Sequence, residues 1–135
     1  MSNTADKEAY LKKKQELLEE LKKRKKQIIF QLKEKYGQRK KVIPKNEAEK
    51  ELLEKTEKSL FKNLTLYAEG LKQGIEQFKQ NERKAEAGLY PYNNLLYQLP
   101  KWFNDESNLF ENQTEINFLQ KKESMNLFAV ILIGG

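Results

Sequence analysis

Residues 47–86, EAEKELLEKTEKSLFKNLTLYAEGLKQGIEQFKQNERKAE, decide the fold. Leu53, Leu60 and Tyr67 stand seven apart, and Leu64, Leu71, Phe78 and Ala85 form a second series of sevens, three or four residues away. That is the a/d spacing that holds one apolar stripe against a partner helix. At about 1.5 Å per residue the helix is roughly 60 Å long. A compact chain of this size has a radius of gyration of only about 14 Å. Part of the seam therefore has to meet another segment or another molecule. Gly70 and Gly74 lie within it, each costing about 1 kcal/mol relative to Ala in a helix interior. Either another backbone approaches closely at their face, or they mark a kink.

Upstream, Asn46 followed by Glu49 has the form of a capping box, with Glu47 also in the first turn, where the helix dipole favours acids. The connector 37–46, GQRKKVIPKN, carries a helix stop in Gly37, a basic cluster and Pro44. It is long enough to fold a preceding helix back antiparallel. That first helix, capped by Thr4 or Asn3 and reaching Tyr36, sets Leu11, Leu18, Lys25 and Leu32 at one heptad position and Lys14, Leu21, Ile28 and Lys35 at the other. Ile29, Phe30 and Tyr36 widen the stripe, so its C-terminal half is expected to pack more firmly than its Lys-rich start. Lys14 and Lys35 are expected at the margin, stems along the seam and ammoniums in water. Charge favours the hairpin too. Glu47, Glu49, Glu51, Glu54 and Glu57 open the second helix, beside Arg24, Lys25, Lys26, Lys33 and Lys35 of the first. Exposed pairs are worth about 0.2–1 kcal/mol each, so they set orientation more than stability.

Downstream, Gly88 ends the long helix and the character changes. Residues 89–110, LYPYNNLLYQLPKWFNDESNLF, hold two prolines, three tyrosines, the only Trp and two Phe. Pro91 and Pro100 are expected to break this stretch into short pieces, with 93–99 at most a two-turn helix. The aromatic knot either caps the open end of the hairpin or is a docking peptide whose Tyr92, Tyr97, Trp102 and Phe103 anchor in a partner's groove. After the turn Asn104-Asp105-Glu106-Ser107, a last short helix is expected from near Thr114, with Ile116, Leu119 and Phe118 inward. It leads to the apolar run 127–133, LFAVILI, far short of the roughly twenty residues that span a bilayer. The run either buries against the chain, inserts into a partner or opens a longer hydrophobic stretch. Leu127, Phe128 and Ile131 are read as buried against the chain or a partner, because such a run left exposed is an aggregation hazard.

The chain has no Cys and no His, which excludes disulfides, thiolate nucleophiles, zinc-finger sites and imidazole acid–base chemistry. No carboxylate pair is gathered with Gly-rich loops, so no catalytic residue is nominated and no cofactor or metal is expected. The opening MSNTADKEAYLKKK runs into charge without an apolar core segment, which reads as an intracellular chain, cytoplasmic or nuclear. The net charge of +6 is uneven: residues 1–45 carry 15 Lys and Arg against 6 acids, and residues 46–135 carry 11 against 14. Lys22, Lys23, Arg24, Lys25 and Lys26, with Arg39, Lys40 and Lys41, are either a solvated helix face or contacts to RNA or DNA phosphates. Such binding would be steeply salt-dependent and blind to sequence, since no recognition-helix or RNA-binding motif accompanies it.

These signals predict an elongated all-α protein. Residues 1–88 form an antiparallel two-helix coiled-coil hairpin with a basic first arm, and 89–135 an aromatic, Pro-broken segment with a short C-terminal helix and an apolar tail. The expected role is a non-catalytic subunit or adaptor of a larger protein assembly, joined to other subunits or to itself through helix seams and aromatic docking surfaces. Binding to nucleic-acid backbone is the alternative, and no membrane span is expected.

Overall fold

The computed structural model describes the backbone of residues 2–37 and 43–134 and the side chains of 4–36 and 43–120. The described residues are all-helical, with α1 over Ser2–Gly37, α2 over Glu47–Glu86 and α3 over Tyr92–Gly134.

Local chemistry sets both ends of α2. Asn46 is extended, and its side chain accepts the Glu49 N–H at 2.8 Å, satisfying one of the orphan donors of the first turn. The Glu49 carboxylate reaches back to the Lys45 N–H at 3.4 Å, one residue earlier than a capping box requires. At the other end Gly88 takes φ +77°. The Gly88 N–H donates to the Ala85 carbonyl at 3.0 Å and the Leu89 N–H to that of Lys84 at 2.8 Å. That pair of bonds is the Schellman arrangement, which glycine adopts without a Cβ penalty.

The third element departs from the expectation of short pieces and a short last helix. It is one 43-residue helix with Pro100 inside it, continuous through Asn104–Ser107. Proline has no N–H for the carbonyl four residues back and its ring crowds that turn, at a cost of about 3 kcal/mol. The surrounding packing outweighs this. Leu95 and Leu99 are 0% exposed and Trp102 is 5% exposed, and burying side chains of this size is worth about 1.5–3 kcal/mol each. Pro100 itself faces solvent. Of the four polar positions that read as a turn, Asn104 is exposed and Ser107 buried, and one turn beyond them buried Asn112 donates to the Asn108 carbonyl at 2.7 Å.

Ring and side-chain pairs give the topology. Tyr10–Tyr92, Lys25–Phe110 and Tyr36–Phe118 set α1 parallel to α3. Phe78–Trp102, Asn81–Gln98 and Gly74–Asp105 set α2 antiparallel to α3. The bundle thus runs up, down, up, with α3 packed against both other helices. Among the described residues, the backbones of α1 and α2 make no close approach, so the expected hairpin seam is not what binds these helices together. The short link 87–91 lays α3 directly on the α2 stripe, and α3 carries the larger apolar side chains. Lysines at seam positions of α1 leave that helix the poorer filler.

The core is densest where α1 begins, α2 ends and α3 begins, around Tyr10, Phe78, Ala85, Leu95, Leu99 and Trp102. It continues through Leu21, Ile28 and Leu32 of α1 and Ala68, Leu71 and Ile75 of α2. Along 47–67 of α2 no residue is fully buried: Leu53, Leu60, Phe61 and Leu64 are only half-covered.

Candidate interaction surfaces

At the closed end the aromatic knot is mostly inside. Trp102 stacks on Phe78 with ring centroids 5.5 Å apart. Buried Tyr10 donates its hydroxyl to the Glu82 carboxylate, which also pairs with the Lys14 ammonium. Lys14 Nζ stands 5.6 Å from the Trp102 ring centroid and 6.0 Å from that of Phe78, adding a cation–π contribution. Its stem therefore lies along the seam while its charge is held by Glu82. Burial, then the hydrogen bond and charge of Glu82, push the Tyr10 hydroxyl well above the usual phenol range. Gln98 extends the polar edge, accepting from Asn81 at 3.1 Å and donating to the Tyr90 hydroxyl.

The four aromatics read as docking anchors are thereby separated. Trp102 is in the core, Tyr92 and Phe103 pack half-buried against it, and Tyr97 is 81% exposed. Elsewhere on the same turns of α3, Leu96, Leu99 and Pro100 line an apolar hollow of about 390 Å³ against Ala9, Lys12, Lys13 and Glu16 of α1, and Tyr97 is not part of that lining. Leu127, Phe128 and Ile131 lie outside the described side chains.

The basic arm divides as well. Lys22, Lys23 and Lys26 are exposed, whereas Arg24 and Lys25 are half-buried, with Lys25 Nζ 5.2 Å from the Phe110 ring centroid. Arg39, Lys40 and Lys41 lie outside the described residues. Lys35 reaches Glu115 of α3 at 2.9 Å. Phe30, expected to widen the apolar stripe, is 63% exposed instead. Two residues beyond buried Ile28, it lies about 200° round the helix, between Lys26 one turn before and Lys33 one turn after. That position was computable from the sequence; the apolar run Ile28-Ile29-Phe30 obscured it.

On α2 the two glycines part company. A Cβ at Gly74 would come within 3.1 Å of the Asp105 carboxylate and 3.4 Å of Lys101 Nζ, so this glycine admits α3. A Cβ at Gly70 would meet nothing within 4 Å. Leu52, Leu66 and Tyr67 are more than half exposed on the same side of the helix. Sequence reasoning assigned no binding role to Leu52 or Leu66, and for Gly70 it named close approach of another backbone as one of two readings.

Among the described residues no three acidic side chains are placed to hold a metal ion, and no helix is long and apolar enough to cross a membrane. No protein-family model matches the chain, and comparison with curated proteins and with solved structures likewise gives no match.

Proposed function

We propose that the chain is a non-catalytic helical subunit or adaptor of an intracellular protein assembly, acting through the outer faces of its bundle. The observation that carries this is Tyr97, 81% exposed on α3 while its aromatic neighbours are packed away. Tyrosine offers a large amphipathic surface at low entropic cost, which is why it dominates interface hot spots. An aromatic left exposed on a helix that also lines a concave apolar site, through Leu96, Leu99 and Pro100, offers a partner an anchor on α3. The test is purification of the tagged chain from its own cells, with and without nuclease, beside a Tyr97→Ala variant. A fixed set of proteins should survive nuclease at constant ratio and fall away with the variant, whose thermal melt is unchanged. If no protein accompanies the wild-type chain, the proposal fails.

A second reading has its own observation: Phe30 projects from a face that also carries exposed Lys22, Lys23 and Lys26. Aromatic stacking flanked by phosphate-binding lysines is the usual chemistry of single-strand binding. Here Lys22→Glu, Lys23→Glu and Lys26→Glu together should abolish binding to RNA or DNA. Wild-type affinity should drop by orders of magnitude between about 50 and 200 mM salt. A flat salt response sinks this reading.

A further inference from the structure

α2 carries a second heptad seam, turned away from α3. Leu52, Ser59, Leu66 and Gln73 stand seven apart, and Thr56, Asn63, Gly70 and Gln77 form the matching series, so the steps alternate four and three. All eight positions are exposed and none is charged. Charge elsewhere on exposed α2 is dense: Glu51, Glu54, Lys55, Lys58 and Lys62 surround the same stretch. Alternating steps of four and three, kept free of charge over about 38 Å, are the geometry of a helix–helix seam. Gly70, with nothing near its Cβ position, and Ser59 permit close backbone approach.

The flanking charges select the partner. Taking Thr56 and Asn63 as a positions, the g positions are Lys55, Lys62, Glu69 and Glu76. The edge is basic in its first half and acidic in its second. We infer that α2 pairs antiparallel with α2 of a second copy of this chain, about a two-fold axis passing between Asn63 and Leu66. In that register Asn63 faces Leu66, Ser59 faces Gly70, Thr56 faces Gln73 and Leu52 faces Gln77, each layer an a position against a d position. The g edges then place Lys62 beside the second copy's Glu69 and Lys55 beside its Glu76, which the symmetry repeats to give four opposite-charge pairs. On the other edge the exposed Tyr67 covers the second copy's half-buried Leu60. Parallel pairing in register sets Lys55 beside Leu60 and Lys62 beside Tyr67 and leaves the charges unmatched.

This pairing rests on the assembly reading and names one partner for it, yet the two fail separately. The test is sedimentation equilibrium of the full chain at about 10–100 µM, with helicity checked by circular dichroism. The wild-type chain should be dimeric. Lys55→Glu with Lys62→Glu makes the g edge wholly acidic, and Glu69→Lys with Glu76→Lys makes it wholly basic. Each double variant should dimerise at least about tenfold more weakly. An equimolar mixture of the two should restore the dimer, because every pair across the seam is again opposite in sign. A monomeric wild-type chain, or double variants that dimerise as well as wild type, overturns the pairing. Neither result touches the nuclease-resistant co-purification through Tyr97.

Discussion

The two ends of α2 carry the same apolar spacing and meet different fates. Near its C-terminus Ile75, Phe78 and Ala85 are buried against α3, and a Tyr10–Glu82–Lys14 cluster closes the gap to α1. Near its N-terminus Leu53, Leu60 and Leu64 reach only half-burial. The five-residue link 87–91 holds α3 on the first of these ends, and coverage thins with distance from it. An apolar heptad therefore reports a capacity for packing, and the chain's connectivity decides how much of it is used. The uncovered half is also where the uncharged outer seam begins, so α2 changes from a core helix into an interface helix along its length.

The contrast can be broken most easily at the closed end. Trp102→Ala should cost about 3–5 kcal/mol, measured by urea denaturation of the purified chain. A loss below about 1 kcal/mol would mean this end is no better packed than the other. Pro100→Ala should act in the opposite sense, stabilising by about 1–3 kcal/mol, since it restores a helix N–H where packing already enforces the helix. Should the variant be destabilised, the Pro100 ring is contributing packing in the hollow against α1 that outweighs its backbone cost. Leu53→Ala, in the half-covered region, should cost about 1 kcal/mol, well under the Trp102 value. An equal cost would erase the distinction between the ends.

Tyr10→Phe sharpens the comparison through pH. The folded hydroxyl stays protonated above the pH at which an unfolded tyrosine, near pKa ~10, ionises, and the unfolded state then binds fewer protons than the folded one. The stability it contributes is present in full below about pH 10 and is lost as pH climbs above it. The Phe variant should lose about 1 kcal/mol at neutral pH but decline less steeply in alkali, as followed by helical circular dichroism. Identical alkaline slopes would place the titrating group elsewhere.

Much of this was legible in the chain. Asn46, Glu49 and Gly88 bound α2 by local hydrogen bonding, and each does in the fold what its residue type implies. Of the two seven-residue series of α2, that of Leu71, Phe78 and Ala85 pointed to the buried face, whereas Tyr67 of the other is 51% exposed. The destination of the tyrosines and tryptophan was not legible: Tyr97 and Trp102 are five residues apart with similar chemistry, and only the direction of a continuous α3 sends one outward and the other into the core. Phe30 and the Leu52–Gln77 seam were within reach of helical angle and charge spacing. Apolar content alone does not mark them: Phe30 adjoins buried Ile28 and half-buried Ile29, and only Leu52 and Leu66 of the eight seam residues are large and apolar.

By itself the sequence determined that the protein is helical, where α2 starts and stops, and that Cys and His chemistry is lacking, since these follow from residue types and from interactions within a few residues along the chain. The tertiary structure alone decided that α3 runs unbroken through Pro100 and Asn104–Ser107 and that it, not the α1–α2 pair, organises the bundle. Local preference at those positions favours a break by a few kcal/mol. Burial of Leu95, Leu99 and Trp102 against residues distant in sequence supplies more than that.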